Sequence, residues 1–498
     1  EDPNDFKATL GLMRCMLSLG NTDGLSALVQ EKWPESTYEM RESMSIYAAA
    51  GAWALGQWGL MEDYVSTIKE DSPDRTFYQA ILALHKNLYN DAAVNINKTR
   101  DLLDTELTAL VGEKLEEIIT YKQFSDQPDR QATIRKTWME RLKGCQRDVD
   151  VWQKILKVRA LVISPKENME MWIKFANLCR KSDSLELAEK TLRQLLVGDQ
   201  KLEAIHPSVL KRAAPQVVYA QLKFMWAKGE RHDAFKLLRD FTDRISDDLH
   251  VGNTSLLARC YLKKGEWQKT LQDDWERDTI PEILQSYLHA TQYDKEWYKA
   301  WHALALANFE VISHYEKLNA LENNKSDEEI VEFSEEMINS EIQQEILRYV
   351  VPSVQGFFCS IALSRGNCLQ DTLRLLTLWF KYGYHHEVST AISEGFSSVN
   401  IDTWLDVIPQ LIARIHVSNT NIRRLIHQLL TEVGKEHPQA LIYPLTVASK
   451  SQSSNRKKAA LAVMDKLRSH SPVLVEQALL VSQELIRVAI LWHEIWME

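Results

Sequence analysis

Apolar residues recur along this chain at the helical period. Phe77, Ile81, Leu84 and Leu88 fall at i, i+4, i+7 and i+11, and Trp152, Ile155, Leu156 and Arg159 continue the theme. Side chains at that spacing line one face of an α-helix. The strict alternation that marks a half-buried strand is nowhere sustained. The pattern predicts an all-α fold.

A phrase repeats within it: apolar or aromatic residues, a Gly, a polar turn, then a new apolar face. It reads Leu19-Gly20, then Trp53-Ala54-Leu55-Gly56-Gln57-Trp58, then Trp226-Ala227-Lys228-Gly229, then Tyr261-Leu262-Lys263-Lys264-Gly265-Glu266-Trp267. Gly20 to Gly56 is 36 residues, and so is Gly229 to Gly265. A tetratricopeptide (TPR) unit is about 34 residues long and uses W-x-x-L-G-x-x-Y, loosely echoed by Trp53, Leu55, Gly56 and Tyr64. Gly at a hairpin lets the chain enter the left-handed region that ends a helix. Small residues let the hairpin close, and Ala48, Ala49, Ala50, Ala52 and Ala54 crowd one helix.

After about residue 280 the texture changes. Pro281, Pro352, Pro409, Pro438, Pro444 and Pro472 mark helix starts and stops at irregular lengths, which suits HEAT-type pairs. Asn323–Glu336 is polar and acidic and predicts a loop or a loosely held helix, and Ser449–Lys458 predicts another loop. The expected architecture is an α-solenoid: TPR-like hairpins over 1–278, then HEAT-like hairpins from 279 on. Such stacks normally hold other proteins.

Composition agrees. Across 498 residues only 17 are Gly and 13 Pro, too few for a turn-rich β fold, while 15 are Trp, suited to packing between stacked helices. The formal net charge of −10 argues against nonspecific nucleic-acid binding as the main task. No apolar run approaches the roughly 18 residues that a spanning helix needs, so no transmembrane segment is expected, and no signal peptide opens the chain. The chain lacks an initiator Met and reads as a fragment of something larger. The six Cys form no C-x-x-C pair and read as free buried thiols of a reducing compartment. In a non-secreted chain the N-x-S/T triplets at Asn97, Asn253 and Asn324 are chance matches.

Catalytic chemistry finds no foothold. No glycine-rich phosphate loop, H-R-D…N, D-F-G, G-x-S-x-G or H-E-x-x-H is present. His385-His386 is the nearest thing to a metal pair, but adjacent side chains do not share a helix face, so both read as solvent-facing loop residues. His427 and His437 lack partners at ligand spacing.

Basic residues sit oddly in so acidic a chain. Lys174 and Lys181 are seven apart and can share one helix face, and Arg259 and Lys263 are four apart. Arg147 follows Cys145-Gln146. Lys223 and Lys299 are flanked by aromatics and should be half-buried. A buried cation needs a partner. Two readings follow: local ion pairs or snorkelling stems, or a shared pocket for a multivalent anion.

Longer strings carry a family resemblance. Among them are Ala49–Met61, Arg100–Leu110, Glu140–Leu156, Trp297–His302, Val354–Phe380, Ile401–Ile415, His437–Lys450 and Glu484–Glu494. Over nearly its whole length the chain resembles the FAT domain of TOR (target of rapamycin) serine/threonine protein kinases, of fungal type, in the phosphatidylinositol-3-kinase-related family. The resemblance implies a stack of TPR units followed by HEAT-like repeats that clamps a kinase domain further along the same polypeptide. It implies a parent that governs growth in response to nutrients, in dimeric TOR complexes with β-propeller and HEAT-repeat scaffold subunits, cytoplasmic and peripheral on vacuolar, lysosomal or other endomembranes. Arg487–Trp496 resembles the opening of the rapamycin-binding insertion, so the resemblance implies that the HEAT-like repeats end at 486 and that 487–498 begins a truncated rapamycin-binding domain. The ATP and magnesium sites belong to the absent kinase domain, so no metal is expected here. The resemblance also implies a structural inositol hexakisphosphate pocket lined by Arg147, Lys174, Lys181, Lys223, Arg259, Lys263 and Lys299. This chain departs from the family near Gly112-Glu113-Lys114 and Asn323–Glu328, where it looks shortened.

Two other readings compete. A free-standing TPR/HEAT adaptor should finish on a polar capping helix, whereas this chain finishes on the apolar Leu491-Trp492-His493-Glu494-Ile495-Trp496. An enzyme needs a cleft with perturbed acids or bases, and no residue nominates one.

Overall fold

A computed structural model describes residues 6–102, 117–123, 126–197, 207–247, 254–272, 275, 277–323, 332–364, 366 and 368–497. Among them there is no strand. The chain forms two compact units, Glu1–Leu237 and Leu238–Glu498.

The first unit opens with α1 (Phe6–Leu19), α2 (Thr22–Lys32), α3 (Tyr38–Ala54), α4 (Trp58–Thr67), α5 (Pro73–His85) and α6 (Tyr89–Leu102). It continues through α7 (Pro128–Gly144), α8 (Val149–Arg159), α9 (Met169–Lys181), α10 (Leu185–Val197), α11 (Pro207–Arg212) and α12 (Pro215–Lys228), with α13 (Arg231–Asp247) leading into the second unit. Successive helices pair as hairpins: α3 with α4, α5 with α6, α9 with α10.

A left-handed residue sits between the partners of most pairs. Gly20 (φ 74°), Gly56 (φ 69°) and Gly229 (φ 103°) do so as their place in the repeated phrase predicts. Asn87 (φ 59°) and Asp183 (φ 60°) do the same work between α5 and α6 and between α9 and α10. Asn and Asp are the side chains that best tolerate this region. Leu88 therefore lies past the end of α5 and is 49% exposed, so the apolar stripe stops at Leu84. The Ala-rich face of α3 is buried, with Gly51 against Leu25 of α2.

Gly265 breaks the expected pattern. It lies inside α14 (Thr254–Leu271) rather than at a hairpin turn. A Cβ there would lie 2.8 Å from Cε1 of Tyr287, so the glycine serves close helix packing. Its partner is α15 (Ile280–Tyr293), which carries Tyr287.

The second unit continues with α16 (Tyr298–Asn323) and α17 (Glu332–Leu363), a long hairpin, then α18 (Leu369–Tyr382) and α19 (His386–Gly395). Two 3₁₀ segments, Phe396–Ser398 and Ile401–Val407, lead to α20 (Ile408–Ala413), α21 (Thr420–Glu436), α22 (Pro438–Ser449), α23 (Ser454–His470) and α24 (Pro472–Met497). Trp379 and Trp404 are each about 1% exposed and stack edge-on against Phe396, at 5.2 and 5.4 Å. Pro281, Pro409, Pro438 and Pro472 open helices, whereas Pro352 and Pro444 lie inside them.

Of Asn323–Glu336, expected as a loop or a loosely held helix, 324–331 lies outside the described residues, while Asn323 ends α16 and Glu332 opens α17. One predicted loop shrinks. Ser453 caps α23 by accepting from the Arg456 N–H, so Ser454–Lys458 is a first helical turn. The expected shortening near Gly112-Glu113-Lys114 also lies outside the described residues.

One segment, Gln343–Leu363 of α17, is long and apolar enough to cross a membrane. The expectation that no apolar run approaches that length is corrected here: polar residues punctuate the segment, but its mean hydropathy is that of a spanning helix. Its Val350, Val354 and Phe357 are fully buried in the core, and Ser353 Oγ donates to the Ala305 carbonyl of α16 at 2.9 Å.

Candidate functional site

The seven candidate cations divide between the units. Arg147 is exposed in the turn before α8, next to Asp148, whose carboxylate caps that helix by accepting from the Val151 N–H at 2.9 Å. Lys174 and Lys181 both lie on α9, as their spacing predicts, Lys174 half-buried and Lys181 exposed at the last turn. Lys223 lies half-buried on α12, which packs on α9 and α10, and its ammonium sits 4.4 Å from the Tyr219 ring centroid. In the second unit, Arg259 (exposed) and Lys263 (half-buried) share α14, and Lys299 opens α16.

Lys299 is exposed rather than half-buried. The buried stripe of α16 runs through Ala300, Leu304 and Ala307, and Lys299 falls off it. The flanking aromatics mislead because the Trp301 indole turns back to donate to the Lys295 carbonyl at 2.8 Å.

Several of these cations already have local partners. Lys174 Nζ lies 2.7 Å from Glu170 Oε1, one turn back on α9, and Lys263 pairs with Glu266 on α14. Such (i, i+4) and (i, i+3) pairs are worth only a few tenths of a kcal/mol when exposed.

Arg180 is the cation that sequence spacing passes over. It follows Cys179 on α9, is half-buried, and its Nε has no hydrogen-bond partner. Burial lowers its pKa, and Tyr219, the ring under Lys223, opposes the shift. The helical stripe gives the signal, since Arg180 lies four residues after the buried Ala176.

The histidines have structural duties. His427 Nε2 contacts the Ile415 carbonyl at 3.0 Å, and burial lowers its pKa. His437 Nε2 lies 2.6 Å from Asp402. His386 is the first residue of α19 and His385 the one before it, at a helix start rather than in a loop. No group of three or more His, Cys, Asp or Glu capable of holding a metal occurs among the described residues. All six Cys are free, but only Cys179 and Cys260 are buried as expected: Cys15 is exposed on α1, and Cys145, Cys359 and Cys368 are half-buried.

One polar cluster was illegible in the sequence. Asp371 of α18 receives Ser360 Oγ of α17 at 2.9 Å, contacts His302 Nδ1 of α16 at 2.8 Å, and pairs with Arg374 at 3.2 Å. Burial pushes its carboxyl up, but these three partners outweigh it and leave the pKa below the ordinary value. Ser360 and His302 both address the carboxylate rather than each other, so the trio is a brace between three helices.

This is a helical repeat scaffold, and it belongs to the FAT domain family. The family model described as "FAT domain" matches residues 45–377, and one described as "Serine/threonine-protein kinase ATR-like, HEAT repeats" matches 387–485. More particularly, it groups with the FAT domains of TOR kinases. It is 47% identical to serine/threonine-protein kinase TOR2 of Saccharomyces cerevisiae over 99% of its length. It is 44% identical to tor1 of Schizosaccharomyces pombe and 44% to mTor of Drosophila melanogaster, both over 100%. The chain spans about a fifth of the length of these relatives: 22%, 22% and 21%. Alignment with TOR2 runs over 546 positions, so that relative carries internal residues this 498-residue chain lacks. In fold it resembles a structure titled "FAT and kinase domain of CtTel1", at TM-score 0.66 and 14% identity, covering 94% of this chain and 35% of that one.

Proposed function

We propose that this chain is the non-catalytic scaffold of a growth-controlling serine/threonine kinase. It holds and restrains the kinase domain of the same polypeptide, within a dimeric complex that includes β-propeller and HEAT-repeat subunits, and it binds inositol hexakisphosphate as a structural ligand. The observation that carries the clamping role is the outer face of α24. Leu480, Leu485, Val488, Trp492 and Trp496 are 60%, 64%, 55%, 65% and 77% exposed along one helix. An apolar ridge of that length calls for a protein cover. Leu485→Asp with Val488→Asp in the full-length protein tests it: kinase activity should be lost or deregulated while this segment keeps its fold, and unchanged activity would refute the clamp.

The ligand reading rests on the family and on cations within each unit: the half-buried Lys174 and Lys223 lie on α9 and α12 of the first, and the half-buried Lys263 on α14 of the second. Calorimetric titration of inositol hexakisphosphate at two salt concentrations tests it. Tight, salt-sensitive binding near one-to-one, lost in Lys181→Glu with Arg259→Glu, supports the pocket. Absent binding returns the cations to ordinary surface pairs.

A further inference from the structure

Within the first unit, two cavities meet at one lysine. The first, about 400 Å³, is walled by α1, α3, α5 and α8 and carries Tyr47, Phe77 and Tyr78. The second, about 460 Å³, is walled by α3, α8, α9 and α10 and carries Trp58, Trp172 and Lys190. Trp53, Gln153 and Lys157 line both. These volumes and this aromatic lining are those of a small-molecule site.

Lys157 sets the chemistry. Among the described residues, no side chain or carbonyl forms an ion pair or hydrogen bond with its ammonium. The second cavity has no carboxylate in its lining, and the charge that Lys157 feels most is Lys190, of the same sign. Burial and that repulsion pull the Lys157 ammonium down to about 8. Lys190 is better provided for: it contacts Thr22 Oγ1 and lies 3.5 Å from the exposed Asp23. Asp74 and Asp150 line only the first cavity, where Asp74 feels Lys154. A half-buried cation facing another cation across a cavity without carboxylates is a site short of one anion.

We propose that this cleft binds a small organic anion with a flat apolar body, its acidic group held between Lys157 and Lys190 and its body against Trp53, Tyr47 and Phe77. The site uses none of the residues assigned to the polyphosphate. An aromatic body matches ring walls, and one acidic group supplies the anion that Lys157 lacks, Lys190 already having Asp23. Gln153 and Gln194 add amide groups that orient the head.

The probes are 2-naphthoate and its uncharged analogue 2-naphthamide, titrated by calorimetry into the full-length protein with inositol hexakisphosphate held in excess. Naphthoate should bind near one-to-one and at least tenfold more tightly than the amide. Lys157→Met should erase that preference, Lys157→Arg should keep most of it, and Trp53→Ala should weaken both compounds. Equal binding of the two compounds, unchanged naphthoate binding in Lys157→Met, or no naphthoate binding at millimolar concentration would each overturn the proposal. Displacement of naphthoate by the excess polyphosphate would overturn it too, by assigning the anion to the other pocket. Should Lys157→Met not fold, Lys190→Met decides in the same way: a tenfold loss supports the site, and unchanged affinity refutes it.

Discussion

The guanidinium of Arg159 lies 5.0 Å from the ring centroid of Trp138, deep in the core of the first unit. Both side chains are about 1% exposed. Arg159 Nη1 reaches the Trp138 carbonyl at 3.3 Å and Met171 Sδ at 3.5 Å, while its Nε has no partner. Burial lowers its pKa to about 10, and Glu117 opposes the shift. The interior thus holds a cation on a ring face and sulfur rather than on a close carboxylate.

Truncation and replacement should part company here. Arg159→Ala leaves a cavity under Trp138 and should cost about 3–5 kcal/mol. Arg159→Met fills the space and removes a buried charge, so it should cost under about 1 kcal/mol or stabilise. Denaturant unfolding of the two variants, followed by Trp fluorescence, checks the order.

Asp371 braces α16, α17 and α18 in the second unit. Asp371→Asn should cost about 2–4 kcal/mol at neutral pH, because Arg374 and His302 lose their anion. A carboxyl held below its ordinary pKa contributes stability above its unfolded value and loses it as pH falls through the folded value. The gap between wild type and variant should therefore narrow below about pH 4. Thermal melts from pH 7 to pH 3 measure it, and a constant gap would count against the brace.

How much of this was legible in the sequence depends on how local each cause is. The helical stripe around Trp152–Arg159 is a matter of spacing, and every one of those four residues is buried. Gly20, Gly56 and Gly229 announce their turns because left-handed backbone strongly favours Gly. Gly265 carries the same flanking phrase but answers to Tyr287, 22 residues later, so nothing nearby distinguishes it. The Asp371 brace joins residues 69 and 11 positions away, beyond any local pattern. For the candidate cations, spacing placed Lys174 with Lys181 and Arg259 with Lys263. It could not show that Glu170 and Glu266 stand beside two of them, nor that Lys299 falls off the buried stripe.

Glycine substitutions should separate packing from propensity. Gly265→Ala drives a methyl into the Tyr287 ring and should cost about 1–3 kcal/mol. Gly11, inside α1 and exposed, has no atom within 4 Å of an added Cβ. Gly11→Ala should stabilise by about 0.5–1 kcal/mol. Melting temperatures of the pair should move in opposite directions.

Lys157 gives a further pH signature. A lysine whose pKa is lowered in the fold costs stability while it is protonated. That cost is full below the folded value near 8 and fades as pH rises toward the unfolded value near 10.4. Lys157→Met should therefore raise the melting temperature at pH 7, by about 1–3 kcal/mol of stability, and change it little at pH 10.5. An identical shift at both pH values would mean that the ammonium is not penalised in the fold.

The long helix α24 has a mechanical side. Its first turns are anchored: Val475 is buried and Leu479 is packed on the core, and α22 and α23 are its neighbours. From Leu480 onward its large apolar side chains stand largely exposed. At about 1.5 Å per residue, the stretch to Met497 is a rod about 26 Å long, hinged at one end. A tilt of about 10° at the anchored turns would carry the far tip through about 4–5 Å. Small repacking around Val475 would thus be magnified into a displacement as large as a side chain at the last turns of α24.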